Sequence, residues 1–258
     1  MIISEHGPLP DSDTADLPDW MANLVAATSE LDPSIFRRFS GSSAEQARDA
    51  SVLMLFGSGP HGPDLLFLRR ADSLGSHPGQ VAFPGGGSEP GDADSVATAL
   101  REAEEEVGLE PEGVRPLARL PRAYVPVSGF DVTPVLAYWD QPSAVRAVDE
   151  GETAAVARVP IAHLVEPANR IQVRHPSGFT SPAYLAPGML IWGFTAGLLT
   201  VLLSIGGWDR PWDATKIVNL DDAWLMAREV GTRSEQGDGA PAAPASADGN
   251  VPPAIAEV

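Results

Sequence analysis

The chain contains no cysteine. This absence excludes disulfide bonds, cysteine-ligated zinc, iron–sulfur clusters and a cysteine nucleophile. Basic residues are also scarce, because 17 Lys and Arg stand against 35 Asp and Glu, which leaves a formal net charge of −18. So acidic a chain repels the phosphate backbone of nucleic acids and anionic lipid surfaces. We therefore expect neither a nucleic acid nor a membrane as a partner, while a local phosphate-binding site remains compatible with this charge.

Several common targeting and catalytic motifs are lacking as well. The N-terminus has neither the basic region nor the apolar run of a secretory signal, and with the absence of cysteine this predicts a cytoplasmic protein. The five histidines show no HxxxH or HxH pairing, which argues against a histidine-ligated zinc site. No GxSxG sequence marks a serine nucleophile.

Composition divides the chain into three regions. Hydrophobic residues make up 43% and charged residues 20%, as in a globular protein. Residues 1–48 form a partly helical N-terminal arm, with helical spacing from Trp20 to Phe39, and residues 49–230 form one main domain. Residues 231–258, rich in acidic residues, Ala and Pro, are predicted to be a disordered tail because they cannot bury enough apolar surface.

The main domain mixes strands and helices outside a strict alternation, which predicts an α+β fold. Ser51–Phe56 and Leu65–Arg69 resemble the two strands of a hairpin, and the GxGxxG sequence between them is interpreted as its loop because no helix follows it. Asp92–Val107 has helical periodicity and stops at Gly108. The remaining predicted strands are Gln80–Phe83, Val114–Leu120, Val132–Trp139 and Ala155–Val159.

A run without charged residues extends from Pro182 to Trp208, long enough to be considered as a membrane span. Its proline, its glycines and the lack of a flanking basic cluster favour a buried core helix instead, over Leu190–Ile205. A membrane-associated scaffold is the alternative that this run leaves open.

The most informative segment is the acidic helix. Glu102, Glu105 and Glu106 lie at positions i, i+3 and i+4, so their side chains leave one side of the helix. At about 6 Å and an effective dielectric near 20, each pair would repel by roughly 2–3 kcal/mol. A divalent cation would remove this cost, and Mg²⁺ and Mn²⁺ prefer carboxylate oxygens. The alternative is a solvated acidic face, which is common on helices.

Glycines precede this helix. The sequence Phe83-Pro84-Gly85-Gly86-Gly87 predicts a loop with accessible backbone amides that can approach an anionic ligand closely. Metal-binding acids beside an amide-rich loop are suited to phosphoanhydride cleavage, in which cations neutralise diphosphate oxygens and a carboxylate accepts a proton from water.

At these residues the chain resembles a known family. Arg101-Glu-Ala-Glu-Glu-Glu-Val-Gly-Leu109 is similar to the core of the Nudix box, REUxEExGU, where U is aliphatic. The resemblance implies a Nudix-type α/β/α sandwich with a mixed β-sheet, Mg²⁺ or Mn²⁺ bound by Glu102, Glu105 and Glu106, and a structural brace from Arg101. Nudix spacing places a glutamate eight residues before the arginine, where this chain has Ala93, and Asp92 is the expected substitute.

The resemblance extends to the coenzyme A pyrophosphatase branch. The segment Arg70–Gly86, with the sequence RADSLGSHPGQVAFPGG, looks like the signature that precedes the box in that branch. Val127–Val135 and Ile191–Ala196 are similar to other segments of these enzymes, so the similarity spans about residues 50–205. It implies hydrolysis of coenzyme A or its derivatives to 3′,5′-ADP and 4′-phosphopantetheine, with a small-molecule nucleotide as the partner and a homodimer left open.

The resemblance implies further site residues. The general base could be Glu105, Glu106 or a later glutamate, Glu150 or Glu152, of which Glu152 is better placed before a strand. The predicted substrate-binding residues are Arg69, Arg70, His77, Gln80, Gly85 and Gly86. For the two arginines the alternative is an exposed strand end, and for His77 it is a hydrogen bond that braces the loop.

Three positions depart from the branch. Leu68 stands where threonine is frequent, and Gly75 and Gly87 stand where basic residues are frequent. These departures keep two alternatives open: a Nudix hydrolase of another nucleoside diphosphate derivative, such as ADP-ribose or a dinucleotide, and a non-catalytic nucleotide-binding domain.

Overall fold

The computed structural model describes residues 6–10, 12–36, 47–75 and 77–235. The helices are α1 (Asp19–Ala27), α2 (Ser95–Val107), α3 (Ile161–Leu164), α4 (Gly193–Ile205) and α5 (Leu220–Glu235). The strands are β1 (Gly7–Pro8), β2 (Arg48–Gly59), β3 (Gly62–Arg70), β4 (Val81–Ala82), β5 (Gly85–Gly87), β6 (Val114–Arg119), β7 (Ala123–Val125), β8 (Phe130–Trp139), β9 (Thr153–Pro160), β10 (Arg170–Arg174), β11 (Thr180–Ala186), β12 (Met189–Ile191) and β13 (Ile217–Asn219).

A mixed sheet forms the centre of the main domain. In the described ranges it contains nine strands, in the order β1-β6-β8-β2-β3-β4, with β5 also paired to β2, β7 to β8 and β9 to β3. Strands β2 and β8 run parallel, while β2 and β3 form the predicted antiparallel hairpin. Gly59 pairs with Gly62 at its tip, so the GxGxxG sequence is a hairpin turn, as predicted.

The sheet is covered on both faces because side chains alternate along its strands. On one face, Leu53 and Leu55 of β2 pack with Ala99 and Ala103 of α2. On the other face, the core cluster that includes Phe56 combines residues of the sheet with residues of α1 and α4. The resulting α/β/α sandwich with a mixed sheet is the predicted fold class.

A second sheet, which the sequence analysis did not anticipate, follows in the chain. Strands β12, β11, β10 and β13 are paired in that order, and β10 and β13 run parallel. Its buried side chains pack with Ala223 and Ala227 of α5. Helix α5 extends past the predicted domain boundary at residue 230 to Glu235, and the rest of the predicted tail, 236–258, lies outside the described residues.

The apolar run needs a correction. The predicted helix Leu190–Ile205 is wrong at its start, because Met189–Ile191 forms strand β12 against β11. Trp192 is extended and Gly193 has a φ of 63°, a conformation that favours glycine, so the helix begins only there. Helix α4 is buried in the core as predicted, and no helix in the described part of the chain is long and apolar enough to span a membrane.

Candidate active site

Helix α2 presents the three glutamates, and its ends are set by local sequence. Asp94 caps the N-terminus, where its Oδ1 accepts hydrogen bonds from the amides of Val96 and Ala97 at 2.9 and 3.0 Å. Gly108 ends the helix in the left-handed conformation, with φ of 65°. Since Ala99, Ala103 and Val107 are buried against the sheet, the glutamates leave the helix on its flank.

Glu106 is the most enclosed of the three. Its Oε2 accepts a hydrogen bond of 2.9 Å from the amide of Gly85. Burial raises the pKa of Glu106 to about 7, and the negative charges of Glu102 and Glu152 add to this effect. The Gly85 hydrogen bond and the positive charge of Arg70 act in the opposite direction without cancelling the shift in pKa.

Glu102 lies against the glycine strand. A Cβ atom at Gly86 would lie 2.5 Å from the Glu102 carboxylate, so this position leaves no room for a side chain unless Glu102 moves. Burial raises the pKa of Glu102, and the charges of Glu105 and Glu89 raise it further. Glu105 differs from both, because its side chain is 58% exposed and pairs with Arg101 at 3.0 Å.

Arg101, predicted to be a structural brace, forms ion pairs with three carboxylates, those of Asp92, Glu102 and Glu105. Its Nε and Nη2 donate to the two carboxylate oxygens of Asp92 at 3.0 and 3.1 Å. Nη2 also donates to the carbonyl of Gly87 at 2.8 Å and to Glu102 at 3.1 Å. This bidentate pair holds the pKa of Asp92 well below its usual range. That Asp92 substitutes for the missing glutamate stays a prediction, which this ion pair supports.

The glycine segment differs from its prediction as an open loop. Gly85–Gly87 forms strand β5, which pairs antiparallel with Ala50–Val52 of β2. The Gly85 amide donates to the Glu106 carboxylate and the Gly87 carbonyl accepts from Arg101, so both backbone groups hold side chains of the acidic cluster. Substrate binding by Gly85 and Gly86 stays a prediction.

The other predicted residues lie at one end of β3. Arg70 pairs with Thr153 in the β3–β9 ladder, which brings Glu152 beside it, and the Glu152 carbonyl accepts from the amide of Ala71 at 2.8 Å. The Nε of Arg70 is buried without a hydrogen-bond partner among the described residues. Arg69 pairs instead with Asp72 at 2.9 Å.

His77 and Gln80 belong to the loop after β3. The Gln80 amide donates to the His77 carbonyl at 3.3 Å, and His77 has a φ of 53°. The Gln80 carbonyl accepts from the amide of Arg70 at 2.9 Å, which ties the loop back to the strand end. Within the described residues neither side chain forms a hydrogen bond, so their contacts with substrate stay predictions.

Two residues of this site were not singled out by the sequence analysis. Thr98 is fully buried and its Oγ1 donates to Asp92 at 2.9 Å, which fixes the partner of Arg101. Glu89 contributes negative charge near Glu102. The role of Asp94 as the helix cap could have been predicted, because aspartate is typical of the position just before a helix and a segment with helical periodicity follows it.

The carboxylates suit a divalent cation by their chemistry. Carboxylate oxygens are preferred ligands of Mg²⁺ and Mn²⁺. Burial is the main reason that the pKa values of Glu102 and Glu106 are raised, and the hydrogen bonds and positive charges near them do not cancel it. As the side chains stand, no group of three or more His, Asp or Glu residues in the described ranges is arranged to hold a metal ion. Binding of a cation by Glu102, Glu105 and Glu106 together stays a prediction.

The fold and this site define a hydrolase of the α/β/α sandwich class that acts on pyrophosphate bonds. The sequence model of the NUDIX domain matches residues 46–177, about half of the chain. The chain therefore belongs to the Nudix family, whose hydrolases generally use divalent metal cations and act on small-molecule nucleotides.

Known proteins of this family are similar to the chain. The uncharacterized Nudix hydrolase NudL of Cronobacter sakazakii is 40% identical over 177 residues, which cover 66% of this chain and 88% of the relative. NudL of Escherichia coli K12 is 38% identical over 167 residues, with coverage of 62% and 83%. A solved Nudix hydrolase from Nitrosomonas europaea aligns with a TM-score of 0.42 and 13% identity, covering 68% of this chain and 81% of that protein.

Proposed function

We propose that the protein hydrolyses the pyrophosphate bond of coenzyme A or its acyl derivatives with Mg²⁺ or Mn²⁺. The products are 3′,5′-ADP and 4′-phosphopantetheine or its acylated form. One observation carries the proposal. The segment Arg70–Gly86 resembles the coenzyme A signature, and residues at both of its ends lie near the side chain of Glu106. Arg70 lies near enough to Glu106 to influence its pKa, and the Gly85 amide donates to the Glu106 carboxylate.

The departures from the signature weigh little against this substrate. Leu68 is buried in the core between the sheet and α2, where it has no access to a ligand. The carbonyl of Gly87 binds Arg101, and a side chain there would contact the ring of Phe130. Gly75, in the exposed loop, is the position that still favours another nucleoside diphosphate derivative such as ADP-ribose.

Glu102, Glu105 and Glu106 would hold the cation, which when bound supplies positive charge to the diphosphate oxygens and acidifies a water molecule. Arg101 keeps Glu102 and Glu105 in place through its hydrogen bonds to both. Arg70, whose buried Nε has no partner in the described residues, would donate to a phosphate oxygen.

Hydrolysis requires a base near the diphosphate. The oxygen of water forms a bond to one phosphorus, the bond from that phosphorus to the bridging oxygen breaks, and the proton from water passes to a carboxylate. We assign this proton transfer to Glu152, because its carboxylate is close enough to Glu106 to raise the pKa of that group, and its backbone is fixed beside Arg70. Glu105 and Glu106 then serve as ligands.

The test is an assay of the purified full chain against coenzyme A, an acyl-CoA, ADP-ribose and NADH, each with Mg²⁺ and with Mn²⁺. We expect metal-dependent release of 3′,5′-ADP from coenzyme A, and loss of at least 100-fold in kcat for Glu105→Gln and Glu152→Gln. Glu104→Gln is the matched control, since Glu104 lies on the same helix but is exposed outside the cluster.

Inactivity of the wild-type chain on all four compounds would reject the enzymatic proposal. Preferred cleavage of ADP-ribose or NADH would support hydrolysis of a pyrophosphate bond but would reject coenzyme A as the substrate. Full activity of Glu152→Gln would remove that residue as the base and return the role to Glu105, Glu106 or Glu150.

A further inference from the structure

A second cleft opens beside the predicted substrate residues. It has a volume of about 640 Å³ and lies between the segment that follows β3 and helix α5. Arg69, Asp72 and Gly79 line one wall, and Trp224 and Arg228 line the other. This volume is within the range of about 300–1,000 Å³ that is usual for small-molecule sites.

Helix α5 directs one face into this cleft. Asp221, Trp224, Leu225 and Arg228 all line it, and their spacing of i, i+3, i+4 and i+7 places them on the same side of the helix. The buried Ala223 and Ala227 fasten the other side of α5 to the second sheet.

A close backbone approach fixes where this helix sits. The amide of Gly188, in the turn between β11 and β12, donates to the carbonyl of Ala227 at 3.1 Å. A Cβ atom at Gly231 would lie 2.8 Å from the nitrogen of Gly188, so glycine at this position permits the contact. The contact therefore holds α5 against the β11–β12 turn, whose Gly188 also lines the cleft.

The two walls offer an aromatic ring, two guanidinium groups and the carboxylates of Asp72 and Asp221. Arg69 is oriented by its 2.9 Å ion pair with Asp72. Arg228 is exposed and forms no ion pair with a residue that the structure describes. Trp224 is half-buried at the wall of the cleft. An indole stacks on nucleobases and a guanidinium pairs with phosphate, so this combination suits a phosphorylated nucleoside.

The cleft adjoins the carboxylate cluster through consecutive residues. Leu66 and Leu68 of β3 face α2, whereas Leu65 and Phe67 face the opposite side of the sheet. The same alternation places Arg70 on the side of Glu106 and Arg69 on the side of the cleft. The proposal below requires one substrate molecule to pass around this end of β3 and to contact both places.

We propose that this cleft binds the 3′-phosphorylated adenosine half of the substrate, with the base stacked on Trp224 and the ribose phosphate paired with Arg228. The proposal rests on the proposed function, since it assigns the part of coenzyme A that lies beyond the diphosphate. It makes α5, which lies outside the matched NUDIX domain, a determinant of substrate specificity.

Kinetics with coenzyme A and with dephospho-coenzyme A, which lacks the 3′-phosphate, test the assignment. We expect Arg228→Ala to raise the KM for coenzyme A by about 10- to 100-fold, to leave kcat unchanged and to abolish the preference over dephospho-coenzyme A. Arg228→Lys should recover part of the loss, because it keeps the charge. Trp224→Ala should raise both KM values equally, and Trp224→Phe should raise them less.

Arg174→Ala is the matched control, because Arg174 is an exposed arginine on β10 outside the cleft. Circular dichroism of each variant checks that it folds. Unchanged KM values in Arg228→Ala and Trp224→Ala, with an active wild-type chain, would overturn the cleft assignment and leave the proposed function intact.

Calorimetric titration of the full chain with 3′,5′-ADP separates failure of the two proposals. If the wild-type chain hydrolyses neither form of coenzyme A, the proposed function fails, yet binding of 3′,5′-ADP that weakens in Arg228→Ala would still support the cleft. If 3′,5′-ADP does not bind to the wild-type chain, or binds equally to wild type, Arg228→Ala and Trp224→Ala, the cleft assignment is rejected.

Discussion

The carboxylate of Glu106 is held away from water beside other acids, and this environment raises its pKa from 4.5 to about 7. Between these two pH values the folded chain binds a proton that the unfolded chain releases. The free energy of unfolding therefore falls as the pH rises through this window, because the folded state must ionise a buried group. Such stored electrostatic cost is typical of a site built for a positively charged ligand.

We predict that Glu106→Gln stabilises the metal-free protein at pH 8. With a shift from 4.5 to about 7, the gain in the free energy of unfolding is roughly 3 kcal/mol, and it disappears towards pH 4. Urea unfolding in the presence of a chelator, at several pH values, measures it. Glu104→Gln, at an exposed position of the same helix, is expected to show no comparable difference. A constant offset between Glu106→Gln and wild type across the pH range would contradict the buried-ionisation account.

At the scale of elements, strand β5 connects the main sheet with helix α2, which carries the three glutamates. Its glycines are read from the sequence as an open loop, but pairing with β2 converts them into a strand that packs against α2. The three positions differ in what surrounds them: Gly85 faces the backbone of Ser51 and Val52, Gly86 faces Glu102, and Gly87 faces Phe130. Tertiary contacts therefore decided the role of each glycine.

Alanine substitutions at Gly85 and Gly86 should separate stability from activity. At Gly85 the new Cβ would lie 2.6 Å from the Cα of Val52, so rigid backbone must move and we expect a loss of about 1–3 kcal/mol in the free energy of unfolding. At Gly86 it would meet the flexible end of Glu102, so stability should change by less than about 1 kcal/mol. Displacement of Glu102 should lower kcat by about 100-fold.

Thermal or urea unfolding, together with the coenzyme A assay, measures both variants. Gly75→Ala is a suitable control, because a Cβ atom there would meet no atom of the described residues within 4 Å, its chain neighbours aside. Equal losses in the free energy of unfolding for Gly85→Ala and Gly86→Ala would contradict this expectation, because they would show that Glu102 does not move away from the new Cβ atom.

At the scale of the whole molecule, segments far apart in the chain complete the core. Trp20 of α1 packs against Phe56, Tyr138 and Trp208, with ring centroids 5.8, 6.1 and 6.0 Å apart. Part of the predicted N-terminal arm thus covers the main sheet on the face opposite α2. The predicted cytoplasmic location and the homodimer that the sequence left open stay expectations at this scale.

We predict that Leu24→Ala destabilises the protein by about 2–5 kcal/mol, because Leu24 is completely buried in the core on the α1 side. Asn23→Ala, at an exposed position of the same helix, should change the free energy of unfolding by less than about 0.5 kcal/mol. Urea unfolding of the full chain provides the measurement. Similar midpoints for Leu24→Ala and wild type would show that α1 does not contribute to the cooperative core.

Sequence patterns predicted the parts whose signals are local. The spacing of Glu102, Glu105 and Glu106, the hairpin with its glycine turn and the stop at Gly108 each depend on residues within a few positions. Asp92 was expected only as the substitute for the missing glutamate, and its ion pair with Arg101 is seen only in the structure. The second sheet and the start of α4 were not anticipated, because pairing of β10 to β13 and of β11 to β12 joins segments whose local pattern is ambiguous.

The amino-acid sequence by itself determined the family, the helix that carries the acids and the identity of the candidate ligands. Only the tertiary structure decided that Glu106 is buried while Glu105 remains exposed, that Glu152 and Arg70 meet beside Glu106, and that α5 faces Arg69. The reason is physical: helical spacing sets the direction of a side chain, but its hydration and its charged neighbours depend on what distant segments pack against it.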